Sequence, residues 1–297
     1  MRILLAGKTG QLGSELVVAL GPLGHVVATG REEMDLANPD SIRRAIRDAK
    51  PAIIVNAAGY TTVDKAEAEP DLAMQVNGVA PGILAEEAKH VGAALIHYST
   101  DYVFDGERKE LYTEEDAPNP VNVYGKTKLA GERAIESAGG VYIILRTSWI
   151  YSSGGPNFVL AILRLAREKK ELGVVNDQTG SPTRARRLAE ASADLLRCGE
   201  AIREQSGIYH LSAMGHTSRY EFARAIIGAM RELTGSSDGW ATIKPITSDQ
   251  YPLPARRPPH PVTDKTKIKQ VFGIEMPRWE DQLRAFLAEL QEMENRK

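Results

Sequence analysis

An α/β fold, built on a doubly wound parallel sheet with a smaller α/β part after it, is what this sequence predicts. Three observations carry the prediction. Short apolar runs alternate with segments of helical periodicity through the first 150 residues. The first run leads straight into a glycine-rich turn, Gly7-Lys8-Thr9-Gly10-Gln11-Leu12-Gly13. After about residue 150 the regular alternation fails, which divides the chain into a dinucleotide-binding part, 1–150, and a second part, 151–297.

The chain has 297 residues, 42% of them hydrophobic, enough for a substantial core. Its 37 basic and 39 acidic residues leave a net charge of -2, so no general field attracts nucleic acid or an acidic membrane. Cys198 is the single cysteine, which excludes a disulfide framework and a cysteine metal site and reads as a small buried side chain. No histidine spacing suggests a metal, and His97, in an apolar strand, reads as a core residue. The opening run Arg2 to Ala6 is too short for a signal peptide and no 18-residue apolar stretch follows; a soluble, cytoplasmic protein is expected.

Arg2 to Ala6 predicts a buried strand and Ser14 to Leu20 a helix. Between them, Gly7, Gly10 and Gly13 leave bare backbone through which a pyrophosphate can reach the amides of a helix N-terminus. Those glycines would serve a plain tight turn as well, but their place at the head of a β/α series favours a Rossmann-type dinucleotide site. The second strand, His25 to Thr29, ends in Gly30-Arg31 rather than an acid. Arg31 suits the 2′-phosphate of NADPH, while Glu32 and Glu33 just behind it leave NADH open. Asn38-Pro39 is a helix start, and Asp40 to Ala49 the helix. The strand Ala52 to Val55 runs into Asn56-Ala57-Ala58-Gly59, small residues that leave room for a cofactor to cross the sheet edge or for close helix packing. A long amphipathic segment then reaches His90.

The strand Leu95 to Tyr98 breaks into Ser99-Thr100-Asp101-Tyr102, and Tyr124-Gly125-Lys126-Thr127-Lys128 opens a helix running to about Ala138. Tyr124 and Lys128, four apart, share one helical face. An ammonium beside a phenol stabilises phenolate, and a hydroxyl such as Thr100 could polarise a carbonyl held between them. That arrangement suits a carbonyl reductase with Tyr124 as proton donor. Taken alone the pair is an ordinary exposed contact; of ten tyrosines, only Tyr124 has a lysine four residues on.

Val141 to Arg146 is the next strand. The second part offers helices over 157–169, 183–197, 218–233 and 278–294, with short strands near 173–177 and 207–211 that return to the sheet region. Arg256 and Arg257, on the proline-rich loop from Tyr251 to Pro259, suit a diphosphate or simply a solvated loop.

With those residues in hand, the chain resembles the extended short-chain dehydrogenase/reductases and, among them, the dTDP-4-dehydrorhamnose reductase family. The likeness runs nearly end to end: GKTGQLG, VNAAGYTTVDKAE, HYSTDYVFDG, NVYGKTKLAGE, RTSWIY, NDQTGSPT and YPLPARRP occur in order. The resemblance implies reduction of a nucleotide-diphosphate keto sugar, dTDP-4-dehydro-L-rhamnose, by NADPH. It implies Thr100, Tyr124 and Lys128 as the catalytic set, with Lys128 holding the ribose and lowering the phenol pKa. Asp101, Tyr102, Trp149 and Gln178 fall where the family contacts the sugar, and Asn157 is counted with the substrate residues. Gly10, Gln11, Leu12, Asp35, Leu36, Gly59, Tyr60 and Thr61 fall where it contacts the cofactor.

Members of that family can dimerise through magnesium held by interface glutamates. Glu15 fits, but Arg184 and Arg186 stand where an acid would be needed, which argues against a Mg²⁺ bridge and leaves a monomer or a homodimer built another way. A dehydratase would need a glutamate directly after Thr100-Asp101, and Tyr102 stands there. An epimerase is not separated by spacing alone. A non-catalytic alternative is an NADP-binding regulatory subunit of the methionine adenosyltransferase type, against which the intact Thr100, Tyr124 and Lys128 argue.

Overall fold

The computed structural model describes residues 1–235 and 239–296. Eight strands of four or more residues organise it: β1 Arg2–Ala6, β2 His25–Thr29, β3 Ile53–Asn56, β4 Ala94–Thr100, β5 Val141–Thr147, β6 Glu171–Val175, β7 Gly207–His210 and β8 Thr242–Ile246. The longer helices are α1 Gln11–Leu20, α2 Pro39–Ala49, α3 Ala80–Val91, α4 Val123–Ala138, α5 Phe158–Glu168, α6 Ala185–Arg197, α7 Arg219–Thr234 and α8 Trp279–Asn295.

Six strands form one parallel sheet in the order β7-β5-β4-β3-β1-β2. A parallel sheet needs crossover helices on both faces, so its strands are covered on both sides and their sequences are continuously apolar. In β1, Ile3 and Leu5 pack with Leu16, Leu188 and Leu195 on one face, while Leu4 and Ala6 pack with Ile42, Ile46 and Leu84 on the other. The chain leaves β1 toward β2 on one side and resumes with β3 on the other, which opens a crevice beyond the C-terminal ends of those strands.

α2 starts where Asn38 accepts hydrogen bonds from the amides of Asp40 (3.0 Å) and Ser41 (3.2 Å), with Pro39 at the first helical position. The segment expected to run unbroken to His90 is instead Val63–Ala68, Pro70–Met74, a π turn Gln75–Val79 and α3. Pro70 has no amide to continue the first helix. The π turn brings Asn77 beneath the cleft, where a Cβ on Gly131 of α4 would lie 2.1 Å from the Asn77 carbonyl oxygen.

A second core gathers Val159 and Ile162 of α5, Phe222 and Ile226 of α7, Leu283 and Phe286 of α8, and Leu172 and Val174 of β6. The strand expected to return to the main sheet from residues 173–177 does not do so. It is β6, and it pairs in parallel with β8, a strand the sequence reading left out. Its buried face belongs to this second core, which lies away from the main sheet. Residues 207–210, by contrast, are β7 at the edge of the main sheet beside β5, and α6 packs on α1. The boundary near 150 is therefore crossed twice in space: two later elements complete the first layer. Among the described residues no helix is long and apolar enough to cross a membrane.

Candidate active site

A cleft of about 720 Å³ follows the C-terminal edge of the sheet from the glycine turn to Trp149 and Arg219. At its first end β1 delivers the chain into Gly7, whose φ of +90° and approach to the Ala58 amide, 2.8 Å from a built Cβ, admit no side chain. Gly10 caps α1 without a side-chain hydrogen bond, leaving the first-turn amides to an incoming anion. Gly10, Gln11 and Leu12 border the cleft. Gly13 does not; a Cβ there would fall 1.9 Å from the Gly7 carbonyl oxygen, so it lets helix and turn meet. Gln11 donates to the Pro156 carbonyl (3.3 Å) and accepts from the Ser152 hydroxyl (3.2 Å), tying the turn to the second part.

Arg31 borders the cleft with its side chain 79% exposed and 3.8 Å from Asp35. Glu33 is engaged elsewhere: it accepts from Lys8 at 2.5 Å and from the Gly30 amide at 2.7 Å, and the Lys8 bond holds its carboxyl below the usual range. Asp35, Leu36, Ala57 and Ala58 continue the wall, followed by Gly59, Tyr60 and Thr61. Asn77 fixes Tyr60 by accepting from its amide (2.8 Å) and donating to its carbonyl (3.0 Å). Uncapped amides, a glycine with no room for a side chain and an exposed arginine beyond β2 fit a dinucleotide with a 2′-phosphate.

At the far end β4 stops at Thr100 and α4 begins beside it. Asn122 caps α4 by accepting from the Gly125 amide at 2.8 Å, and Gly125 approaches the Tyr102 carbonyl so closely that a Cβ would sit 2.2 Å away. Thr100, Tyr124 and Lys128 thus border one end of the cleft. Tyr102 meets the Tyr124 ring edge to face at 5.8 Å. Burial pushes the Tyr124 phenol up, and interaction with Thr100 pulls partly the other way. The expected lowering by Lys128 is not found, because its amine reaches into the strand below and donates to the Tyr98 carbonyl (2.6 Å), with His97 Nε2 at 3.2 Å. Burial lowers that amine to about 8. Asp101, 3% exposed, accepts from the Ser148 hydroxyl (2.6 Å) and from Thr100 (3.2 Å), and burial raises it to about 6.

Beneath α4, Glu132 and Arg146 form a fully buried pair at 2.7 Å, and the Ser99 hydroxyl donates to the same carboxylate. This pair ties α4 to β4 and β5.

Trp149 forms the substrate end with φ +42°, a strained conformation for a large side chain. Gly180 makes room for its indole, since a Cβ there would come within 2.4 Å. Arg219, which sequence reading missed, stacks on that indole at 4.2 Å and donates through Nε to Gln178 at 3.1 Å. Arg219 itself borders the cleft. Gln178 does not border the cleft; held by Ser248 at 2.9 Å, it orients Arg219.

Several further residues singled out from the sequence lie outside the cleft lining. Asn157 is the cap of α5, accepting from the Leu160 amide at 3.1 Å, and does not border the cleft. Arg257 forms a two-pronged bond to Asp64 at 2.9 and 2.7 Å, and Arg256 pairs with Glu107 at 3.3 Å. Neither arginine borders the cleft, and each has a counter-ion within the chain. Arg186 bridges Glu15 (3.3 Å) and Glu289 (2.7 Å), and Arg184 also pairs with Glu289 at 2.6 Å, so side chains already neutralise those carboxylates.

A glycine turn at the switch point of a parallel sheet, with a tyrosine and a lysine one helical turn apart across the cleft, defines a dinucleotide-dependent oxidoreductase of the short-chain dehydrogenase/reductase type. The family model described as RmlD substrate binding domain matches residues 1–292. The chain is 44% identical over 286 residues to a dTDP-4-dehydrorhamnose reductase of Burkholderia thailandensis, covering 94% of this chain and 95% of that protein. It is 42% identical to the dTDP-4-dehydrorhamnose reductase of Escherichia coli K12, with 98% of each covered. The crystal structure of a dTDP-4-dehydrorhamnose reductase from Bacillus anthracis in complex with NADP superposes with TM-score 0.87 at 33% identity, over 97% of this chain and 99% of that one. This chain belongs to the dTDP-4-dehydrorhamnose reductase family.

Proposed function

We propose that the protein reduces dTDP-4-dehydro-β-L-rhamnose to dTDP-β-L-rhamnose with NADPH, a step of dTDP-L-rhamnose biosynthesis. The observation that carries this reading is the convergence of Thr100, Tyr124 and Lys128 at one end of a cleft whose other end is the glycine turn. Family membership supplies the substrate class, a nucleotide-linked keto sugar.

Gly10, Gln11 and Leu12 would hold the pyrophosphate, Arg31 the 2′-phosphate and Lys128 the nicotinamide-side ribose. When bound, the reduced nicotinamide supplies the hydride. Tyr124 gives its phenolic proton to the sugar O4, and Thr100 turns its hydroxyl from Asp101 toward the same oxygen. Burial keeps the phenol protonated until that oxygen becomes basic. Asp101 holds Thr100 in place until the sugar oxygen takes over its hydroxyl, and Asp101 itself borders the cleft. Tyr102 and Trp149 wall the sugar site, and Arg219 takes the diphosphate in place of Arg256 and Arg257.

The test follows NADPH absorbance with dTDP-4-dehydro-L-rhamnose beside other nucleotide-linked keto sugars. Stoichiometric oxidation with the first is expected. Sugar interconversion without net oxidation would make the protein an epimerase and overturn the proposal.

A further inference from the structure

His97 was expected to be a core histidine, yet its ring touches the site through both nitrogens. It is 1% exposed on β4. Nδ1 lies 3.0 Å from Asn56 Nδ2, and Nε2 lies 3.2 Å from Lys128 Nζ. The orientation of Asn56 is set by Oδ1, which accepts from the Ala58 amide at 3.2 Å.

Those contacts fix the ring's hydrogen. An amide NH₂ can only donate, so Nδ1 is an acceptor and carries no proton. Burial keeps the imidazole neutral, so its one hydrogen sits on Nε2, pointing at Lys128. An ammonium has no lone pair to receive it. The arrangement matches an uncharged Lys128 amine, which accepts from Nε2 and donates to the Tyr98 carbonyl at 2.6 Å.

The ammonium form needs the mirror arrangement. Nε2 must accept, the ring hydrogen must move to Nδ1, and the Asn56 amide must turn to receive it, leaving the Ala58 amide without that partner. The charged or titratable groups acting on the amine are His97 from β4 and Glu132 one turn further along α4; Glu132 is already held by Arg146 and Ser99. Asn56 on β3 acts only through the ring.

We infer that His97, oriented by Asn56, is a positioning residue that favours the uncharged form of Lys128 in the cofactor-free protein, and that dinucleotide binding draws a proton onto that lysine. This rests on the function proposed above. The dinucleotide brings phosphate charge and ribose acceptors into the cleft that both Lys128 and Ala58 border. Those groups favour ammonium over amine. The balance is one proton taken from solvent: Lys128 gains the hydrogen from Nε2, and the incoming proton is placed on Nδ1. No bond to carbon changes and no electron moves.

Calorimetric titration with NADP⁺ at pH 8, in Tris and in HEPES, reads that proton directly. At pH 8 the 2′-phosphate is already ionised, since a phosphate monoester loses its second proton near about pH 6. The inference expects binding heats that differ with buffer by the uptake of a substantial fraction of a proton. His97→Gln, whose amide can turn its oxygen to Lys128, should bind NADP⁺ with little uptake. In ¹⁵N-histidine spectra of the cofactor-free wild type, one neutral histidine should change from the Nε2–H to the Nδ1–H tautomer as pH falls, a signal missing from His97→Gln. Binding without buffer dependence, unchanged uptake in His97→Gln, or a His97 tautomer fixed across pH would each overturn the inference while leaving the reductase reading intact. Failure to bind NADP⁺ at all would overturn both.

Discussion

The guanidinium of Arg219 lies over the indole of Trp149, its central carbon 4.2 Å from the ring centroid, with Nε held by Gln178. The stack fixes an arginine by one face and one edge and leaves the remaining donors for an anion. A planar fork of this kind suits a diphosphate better than a point charge does. Arg219→Met should raise KM for the nucleotide sugar by roughly ten- to a hundredfold, the range expected for one charge-assisted hydrogen bond. NADPH affinity should be unchanged, and Arg219→Lys should recover only part of the loss. Steady-state kinetics with each substrate varied decides; equal weakening of cofactor and sugar would remove the assignment.

Tyr124→Phe deletes one oxygen from a ring that remains packed edge to face on Tyr102. The variant should bind NADPH normally and lose roughly a hundred- to ten-thousandfold in turnover, the usual contribution of general acid catalysis. Fluorescence titration with NADPH together with single-turnover rates separates the two effects, and a wild-type rate would end the assignment.

Asp101 gives a pH dependence. Buried and raised to about 6, it is ionised above that pH and holds Thr100 through Oδ1. As pH falls through about 6 the carboxylate takes a proton and loses an acceptor, so kcat/KM should show an acid limb there. Asp101→Asn should flatten that limb. The sign for stability is opposite: its folded-state value lies above the ordinary one near about 4, so the folded chain binds this proton more tightly. Its contribution is full below about pH 4 and is lost as pH rises through about 6. Urea unfolding at pH 5 and 7.5 should therefore show a smaller pH difference in Asp101→Asn than in wild type.

Arg31→Ala should weaken NADPH far more than NADH, because Arg31 stands exposed at the cleft edge with only a long 3.8 Å contact to Asp35, while Glu33 is occupied by Lys8 and the Gly30 amide. A loss of roughly tenfold or more, confined to NADPH, is the scale of one charged hydrogen bond. Dissociation constants for the two dinucleotides provide the comparison.

Glu132→Gln leaves the Arg146 guanidinium buried without its counter-ion. Breaking such a pair should cost on the order of 3–5 kcal/mol in chemical denaturation. Replacing both partners by apolar residues of similar volume should cost much less than that single change.

What the sequence made legible is local. The glycine turn, the cap at Asn38-Pro39 and the Tyr124/Lys128 pair are each written within a few residues, so their geometry follows from helix and turn chemistry. The pairing of Arg257 was not legible because its partner, Asp64, lies 193 residues earlier in the chain. His97 was taken for core because Asn56 and Lys128 are 41 and 31 residues away. β8 escaped notice because Pro245 interrupts it, and a two-stranded sheet with free edges tolerates the missing amide. Arg219 carried no motif at all; only the fold places Trp149 and Gln178 around it.

The link from Arg184 and Arg186 to Glu289 fastens the closing helix of the chain to the opening of α6, and through Glu15 to the first helix after the nucleotide turn. With only 4% of its side chain exposed, Arg184 depends on a carboxylate contributed from more than a hundred residues away. Shortening the protein from its tail would thus strand an interior cation and loosen the seam on which the two halves of the molecule meet.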